Sequence, residues 1–383
     1  MPKRLVVCCD GTWNTPDGLN NGQPAPTNVT KLALAVSSRD AAGVEQRMFY
    51  HPGVGTRRSE RLRGGAFGFG LSRDVRDAYR FLVANFEPGD ELFFFGFSRG
   101  AFTARSTAGF VRNSGILRHE HSDRVDEAYA LYRSREAHPR GIEARLFRRS
   151  YSHETRIRFI GVWDTVGALG IPLSGLRFLN FVNRGTQFHD TDLSTTVDAA
   201  FHALAIDEKR QPFRPTVWTQ QHADTPQQVE QVWFAGVHCD VGGGYADHSL
   251  ADVPLLWMID KAAAYGLDLD GDVLMAGPFV GQQESDAGAP TPNPLGEQHE
   301  SRAGFYRVLR PFIRPIDREA AKCEWMSSSA IKRHENKPGY APPNPDRVPH
   351  RSASGDGRLI GLGTRQLGRR SFSRTRLGDR RCG

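Results

Sequence analysis

The segment Gly96-Phe97-Ser98-Arg99-Gly100 constrains the fold more than any other part of the sequence. It fits the pattern G-x-S-x-G, and the apolar run 91–95 before it is typical of a buried strand. Residues 101–110 after it have helical character. A serine at a sharp turn between a strand and a helix is the context of a catalytic nucleophile, and the flanking glycines Gly96 and Gly100 allow close backbone packing. The alternative is a Gly/Ser turn in another doubly wound fold.

Two further predicted strands end in residues that could complete a catalytic triad. The strand-like run 156–163 leads into Asp164, and the run 232–237 leads into His238. In a parallel sheet, catalytic groups collect at the carboxyl ends of the strands, and Ser, Asp, His is the chain order of α/β-hydrolases. Structural alternatives exist, since Asp164 could cap a turn and His238 could be a structural histidine. The reserve bases are His248 and His202, and the reserve acid is Asp207.

The first predicted strand supplies a candidate for part of an oxyanion hole. The apolar run 5–9 is followed by the tight loop Asp10-Gly11-Thr12-Trp13-Asn14. In α/β-hydrolases, a loop after an early strand contributes one N–H group, and the residue after the nucleophile contributes the other. We therefore expect the oxyanion donors to be backbone N–H groups of Gly11 or Thr12 together with Arg99. The same loop resembles that of haloacid-dehalogenase-type phosphatases, but their nucleophilic aspartate is replaced here by Cys8.

Five segments, in order along the chain, together match the pattern of a known family. They are LVVCCDGTWN (5–14), GFSRGAFTAR (96–105), FIGVWDTVG (159–167), ALAIDEKRQPFRP (203–215) and WFAGVHCDVGGGY (233–245). The sequence resembles the catalytic domain shared by type VI secretion phospholipase effectors and many uncharacterised bacterial and fungal hydrolases. The resemblance implies an α/β-hydrolase fold, a triad of Ser98, Asp164 and His238, and cleavage of phospholipid acyl esters.

One region departs from the usual pattern of that family. Its members usually carry a histidine–serine pair and an arginine shortly before a Tyr-x-Pro-x-Asn segment. The sequence keeps the arginine and the segment 340–344, but a serine occupies the histidine position within 325–333. The departure affects any role of that histidine and leaves the triad intact. The membrane-docking regions that the effectors tend to carry are not evident in the sequence.

The chain of 383 residues is predicted to form one catalytic domain with a basic extension. We assign residues 1–339 to an α/β-hydrolase domain, a mostly parallel sheet with helices on both faces and helical lid-like insertions near 112–155 and 168–200. Residues 340–383 contain ten arginines, no lysine and three aspartates, whereas the rest has equal numbers of basic and acidic residues. The net charge of +7 therefore lies in this tail, which we expect to be disordered.

Composition also sets expectations about location and partners. The sequence has no apolar run long enough for a transmembrane helix, and a strand begins too early for a signal peptide. Five cysteines, two of them adjacent, do not suggest a disulfide framework. We expect a cytoplasmic protein, compatible with leaderless export. Its partners would be an ester or phospholipid substrate and, peripherally, an anionic membrane. We expect no specific nucleic acid, metal or cofactor, and the sequence predicts no oligomeric state.

Two other functional classes are open on the sequence alone. One is a non-catalytic binding module built on a hydrolase fold, against which the three triad residues together argue. The other is a metal-dependent hydrolase with His238, Asp240 and Asp10 as ligands. Our sequence-based hypothesis is a serine hydrolase of carboxylic esters that works through an acyl-enzyme, with lipids as the favoured substrates.

Overall fold

A sheet of eight parallel strands forms the centre of the computed structural model, which describes residues 2–11, 14, 16–53, 67–134, 138–167, 192–220, 226–276, 289–316, 323–343 and 350–351. Its strands are β1 Arg4–Cys9, β2 Gln46–His51, β3 Glu91–Phe97, β4 Phe159–Trp163, β5 Ala199–Ala205, β6 Gln228–Phe234, β7 Glu324–Ser327 and β8 His350–Arg351. Their order across the sheet is β8-β7-β6-β5-β4-β3-β1-β2.

Helices cover both faces of this sheet. They are α1 Asn28–Ala35, α2 Phe67–Asn85, α3 Arg99–Ser114, α4 Val125–Arg133, α5 Ile142–Tyr151, α6 His238–Gly242, α7 Asp252–Ala264, α8 Gly271–Ala276 and α9 Ser328–Asn336. Short two-stranded ribbons pair Leu19–Asn20 with Gln23–Pro24, Ile116–Leu117 with Ser152–His153, and Asp192–Leu193 with Thr219–Gln220. Within the described ranges, no helix combines the length and apolar character needed to cross a bilayer.

Two apolar layers bury the sheet because successive side chains of a strand point to opposite faces. On one face, alternate residues of β1 and β3 pack with side chains of α2 and α3. On the other face, the intervening residues pack with side chains of α1 and α7. The first set is Leu5, Val7, Leu92 and Phe94, and the second is Val6, Cys8, Phe93 and Phe95. The α/β-hydrolase fold predicted from the sequence is confirmed, with every strand pairing of the central sheet parallel among the described residues.

The strand order reverses between β1 and β3. From β1 the chain moves outward to β2, whereas β3 lies on the other side of β1 and is followed by β4 to β8 in sequence order. The residues paired at the end of this junction are Cys9 and Gly96. Open α/β sheets bind ligands outside the carboxyl ends of their strands at such a reversal. The topology therefore predicts a ligand site between the loops that follow β1 and β3.

The domain boundaries stay a prediction. Beyond the predicted boundary at residue 340, the Tyr340 hydroxyl donates to Asp207 and β8 pairs with β7. The rest of the predicted tail, from residue 352, lies outside the described residues. In the first insertion, α3 continues to Ser114 before α4 and α5 follow. Most of the second insertion, 168–191, also lies outside the described residues.

Gly100 allows α3 to approach the end of β1. A Cβ atom built on Gly100 would overlap the backbone carbonyl oxygens of Cys9 and Asp10. In the same helix, a Cβ on Gly109 would first meet the ring of Tyr132 at 3.4 Å, an ordinary contact.

We expect Gly100→Ala to lower the free energy of unfolding by about 3 kcal/mol, because backbone atoms would have to move apart. Gly109→Ala should be neutral or stabilise the protein by about 0.5 kcal/mol, since alanine is the better helix former. Denaturant unfolding of the two variants measures the difference. Equal stabilities would contradict the close approach of α3 to β1.

Candidate active site

Ser98 lies at the turn between β3 and α3. Its backbone has φ 57° and ψ −120°, a conformation that is costly for a residue with a side chain. Backbone hydrogen bonds hold it there: its N–H donates to Trp163 at 3.0 Å, and its carbonyl accepts from Phe102 at 3.3 Å. The residue is 6% exposed. The turn therefore places a nearly buried hydroxyl at the carboxyl edge of the sheet.

His238 connects Ser98 to the carboxylate of Asp164, the residue that follows the neighbouring strand β4. It is the first residue of α6, directly beyond β6. Its Nε2 lies 2.8 Å from Ser98 Oγ, and its Nδ1 lies 2.5 Å from Asp164 Oδ2. The imidazole packs against two aromatic rings, Phe97 at 4.6 Å and Phe213 at 4.9 Å between centroids. These contacts restrict rotation of the imidazole between the hydroxyl and the carboxylate.

Asp164 is fully buried and is held by a bidentate arginine. It follows β4 with a positive φ of 37°. Arg314 donates from Nη1 to Asp164 Oδ1 at 2.6 Å and from Nη2 to Oδ2 at 3.0 Å. The same guanidinium donates to the carbonyls of Ala205 at 2.7 Å and Phe213 at 2.6 Å. Asp164 Oδ1 also accepts from the Ala205 N–H at 3.0 Å. Both oxygens of the carboxylate are thereby fixed.

Burial and the neighbouring charges determine the protonation states of Asp164 and His238. Burial raises the pKa of Asp164, but the Arg314 guanidinium and the hydrogen bond from His238 outweigh it, so the pKa lies well below its usual range. Burial lowers the pKa of His238 and outweighs the opposing effect of Asp164. At neutral pH the imidazole is therefore neutral. An ionised carboxylate only accepts, so Nδ1 carries the proton and Nε2 can accept from the Ser98 hydroxyl.

A second buried ion pair supports the backbone of His238. Glu208 Oε2 accepts from the His238 N–H at 3.3 Å. Arg210 holds both oxygens of Glu208, through Nε at 2.9 Å and Nη2 at 2.8 Å, and the Ser301 hydroxyl adds a bond of 3.0 Å. Burial raises the pKa of Glu208, and Arg210 overcomes this effect, so the pKa is lowered overall. Glu208 and Arg210 both lie within the segment 203–215, but no spacing in the sequence marks them as an ion pair beside His238.

Arg314 has no comparable signal in the sequence. It is 150 positions from its partner Asp164, in a segment that contains several other arginines. Each of those arginines is an equally good candidate for an ion pair when only the sequence is read. The tertiary structure alone selects Arg314, whose side chain is essentially unexposed.

The loop after β1 lies next to Ser98, but its hydrogen bonding differs from the expectation for Gly11. A Cβ on Gly11 would stand 3.3 Å from the Ser98 Cβ. However, the Gly11 N–H donates to Asp10 Oδ1 at 2.6 Å, because a buried carboxylate must accept hydrogen bonds from neighbouring donors. Asp10 also accepts from Thr27, Thr30 and Tyr50. Gly11 therefore borders the site while its N–H points to Asp10.

Arg99 and Thr12 are the other two predicted oxyanion donors. Arg99 is the first residue of α3, so its N–H belongs to the positive end of the helix beside Ser98. Thr12 lies outside the described residues. A Cβ on Gly96 would stand 2.5 Å from the Gly100 carbonyl oxygen, so both glycines lie where backbones meet closely.

The reserve residues lie elsewhere. His202 Nε2 accepts from the Thr165 N–H at 3.0 Å, and burial lowers the pKa of His202 to about 3. His248 Nδ1 lies 2.5 Å from Asp252. Asp207 accepts from the Gly236 N–H at 2.7 Å and from the hydroxyl of Tyr340. Within the described part of the chain, none of these three side chains forms a hydrogen bond with Ser98 or His238.

The residues of the metal-dependent alternative do not converge. Asp240 binds His299 Nδ1 at 2.6 Å, while the His238 ring lies between Ser98 and Asp164. Asp10 is occupied by its own hydroxyl donors. In the part of the chain that the structure describes, no group of three or more His, Cys, Asp or Glu side chains could hold a metal ion.

Comparison with known proteins assigns the family. Residues 3–261 match the sequence profile of the catalytic domain of Tle1-like phospholipase effectors of the type VI secretion system. The chain belongs to this family. Ser98, Asp164 and His238 lie within the matched span of the Tle1-like domain, whereas Arg314 lies beyond it.

Several known proteins are similar to this Tle1-like chain. An uncharacterised protein of Saccharomyces cerevisiae is 31% identical over 241 residues, 57% of this chain and 33% of that protein. A crystal structure of an uncharacterised Pseudomonas aeruginosa protein shows 18% identity and a TM-score of 0.41, covering 70% of this chain and 46% of that one. A Tle1 effector bound to the VgrG spike shows 20% identity and a TM-score of 0.35, covering 64% and 51%. The chain thus spans a third to a half of these proteins' lengths.

Proposed function

We propose that this protein is a serine hydrolase that cleaves carboxylic esters of lipids. The observation that carries the proposal is the continuous hydrogen-bonded series from Ser98 Oγ through His238 to Asp164, with distances of 2.8 and 2.5 Å. A hydroxyl, a neutral imidazole and a buried carboxylate in this order form a nucleophile, its base and the group that orients the base. Membership in a family of phospholipase effectors supports lipids as the substrate class.

Each residue has one task in the proposed reaction. Ser98 Oγ attacks the acyl carbonyl carbon while His238 Nε2 takes the hydroxyl proton. Asp164 stabilises the imidazolium that forms. The tetrahedral oxyanion lies at the N-terminus of α3, where the Arg99 N–H and the helix dipole stabilise it. The loop after β1, through Thr12, would supply a second donor.

The reaction is completed in two stages, formation of the acyl-enzyme and its hydrolysis. The C–O bond to the leaving alcohol breaks, and His238 returns its proton to that alcohol oxygen, which leaves Ser98 acylated. A water molecule next attacks the acyl carbon and gives a proton to His238. The bond between the acyl carbon and Ser98 Oγ then breaks, and His238 returns the proton to Ser98 Oγ. The products are a carboxylic acid and the regenerated serine. For a phospholipid substrate this is the reaction of a phospholipase A. The proposal includes synthesis in the cytoplasm and export, as membership in a family of secretion effectors suggests.

A fluorophosphonate probe tests the proposed nucleophile directly. The probe should label the protein stoichiometrically, and peptide mass spectrometry should place the adduct on Ser98, because the probe needs an activated serine and an oxyanion site. Ser106→Ala is a matched control, since Ser106 lies in α3 and is also 6% exposed. That variant should label like the unchanged protein, and Ser98→Ala should not label. Failure of the unchanged protein to react would favour a non-catalytic binding module.

A further inference from the structure

The segment Ser301–Ile316 combines a strong positive charge with exposed apolar side chains. It contains four arginines and no acidic residue. Val308 is 78% exposed, Ile313 is 70% exposed and Leu309 is 36% exposed. Arg307 and Arg310, interleaved with these aliphatic residues, are also exposed. We call residues 302–313 the arginine loop.

The arginine loop is anchored at both ends to the candidate active site. At its start, the Ser301 hydroxyl donates to Glu208, whose other oxygen accepts from the His238 N–H. At its end, the Phe312 N–H donates to the Lys209 carbonyl at 2.8 Å. Two residues later, Arg314 holds Asp164. The loop therefore projects from the same carboxyl edge of the sheet on which Ser98 lies.

Internal hydrogen bonds give the loop a preformed shape. The guanidinium of Arg302 donates to the carbonyls of Tyr306, Arg307 and Leu309. Residues Gly304–Arg307 form a short 3-10 helix. Arg302 thus supplies hydrogen-bond donors to the carbonyl groups of the turn. The side chains of Val308 and Arg310 are exposed to solvent. The apolar and cationic surface thus exists before any partner binds.

We propose that the arginine loop docks the protein onto the surface of an anionic phospholipid bilayer, with Val308, Leu309 and Ile313 entering the boundary between headgroups and acyl chains. Aliphatic side chains beside arginines suit this boundary, because the chains bury apolar area while the guanidinium groups remain among anionic headgroups. Each cation near such a surface adds to binding until salt screens it. An acidic protein partner would also match the charge, but the placement beside Ser98 favours the lipid surface. The inference rests on the proposed function, since it gives that site its route to an insoluble substrate.

A second exposed patch provides a matched comparison. On α5, Ile142 is 76% exposed and Leu146 is 60% exposed, with Arg145 and Arg149 exposed next to them. This patch lies at the opposite edge of the sheet, because α5 contacts Asn113 through Arg148. Asn113 is near the C-terminal end of α3, about 22 Å along the helix from Ser98. A bilayer bound there would face away from the site.

Vesicle co-sedimentation of the full chain tests the docking surface. All proteins carry Ser98→Ala, so that lipid is not consumed and binding is measured whether or not the protein is an enzyme. The probes are vesicles of phosphatidylcholine with and without phosphatidylglycerol. Val308→Ser with Ile313→Ser, and separately Arg307→Gln with Arg310→Gln, should each lower partitioning onto the anionic vesicles by about tenfold or more. The arginine pair should also reduce the salt dependence of binding.

The matched substitutions on α5 decide between the two surfaces. Ile142→Ser with Leu146→Ser, and Arg145→Gln with Arg149→Gln, should leave partitioning unchanged. The proposal is overturned if the α5 variants lose binding instead, if both sets lose it equally, or if the Ser98→Ala protein does not bind anionic vesicles. With Ser98 restored, the loop variants should show a lower ratio of vesicle hydrolysis to soluble-ester hydrolysis. Absence of any hydrolysis, with docking retained, would reject the proposed function alone.

Discussion

Ser98→Ala should reduce the hydrolysis of a short soluble ester by about 10³-fold or more, without change in fold. The hydroxyl is the atom that forms the acyl bond, and in this structure it is the group that His238 Nε2 contacts at 2.8 Å. The initial rate of ester hydrolysis and the far-ultraviolet circular dichroism spectrum are the two measurements. Retained turnover in a correctly folded variant would show that the mechanism is wrong.

The histidine provides a stricter version of the same test. His238→Ala should cost nearly as much as Ser98→Ala, and the double variant should be no worse than either single one, because a triad acts as a unit. His248→Ala is the matched control, since that imidazole also binds a buried carboxylate, Asp252, but forms no hydrogen bond with Ser98 among the described residues. It should retain far more activity. A dead His248→Ala enzyme beside an active His238→Ala enzyme would reject the assignment of the base.

Arg314→Met should lower kcat/KM by about 10²-fold, because Asp164 would lose the donors that fix both of its oxygens. The Met side chain fills much of the same volume without a charge. Arg314→Lys keeps the charge but not the bidentate geometry. Its kcat/KM should therefore lie between those of the unchanged protein and Arg314→Met. Activity comparable to the unchanged protein in Arg314→Met would show that the arginine does not position the carboxylate.

The pH dependence of Arg314→Met separates positioning from a purely structural role. His238 must be neutral to act as a base, and burial holds its pKa below the usual value, so activity should be lost only below about pH 6.5. Without the arginine, the full charge of Asp164 acts on the imidazole and raises its pKa. The acidic limb of kcat/KM should therefore move to higher pH. A merely structural defect would lower the rate at every pH without moving the limb.

Stability should respond to the same variant in a defined direction. The pKa of Asp164 is lower in the folded protein than in the unfolded chain, so the ion pair contributes stability above an unfolded pKa of about 3.9. That contribution disappears as the pH falls through the folded pKa. Arg314→Met should lower the free energy of unfolding by about 3 kcal/mol at neutral pH, because it leaves a buried charge unpaired. The difference between the two proteins should shrink toward acidic pH.

Local patterns in the sequence determined much of this fold. The continuous apolar runs in β1 and β3 predict buried strands, because both faces of such a strand need apolar side chains. The turn at Ser98 is also a local feature, since the strand, the serine and the helix adjoin in the chain. Asp164 and His238 could be selected because parallel strands bring their carboxyl ends to one edge. Their meeting at Ser98 follows from the order of β3, β4, β5 and β6.

Only the tertiary structure decided which distant groups support the hydrogen-bonded residues Ser98, His238 and Asp164. Arg314 reaches Asp164, and Glu208 reaches the His238 N–H, through contacts that no spacing in the sequence encodes. The N–H of Gly11 points to Asp10 because burial of that carboxylate requires donors, a demand that appears only once the chain is folded. The position of the arginine loop beside Ser98 depends on the same long-range contacts. Sequence periodicity reports which face of an element is buried, whereas the identity of a buried charge's partner depends on how all the elements pack.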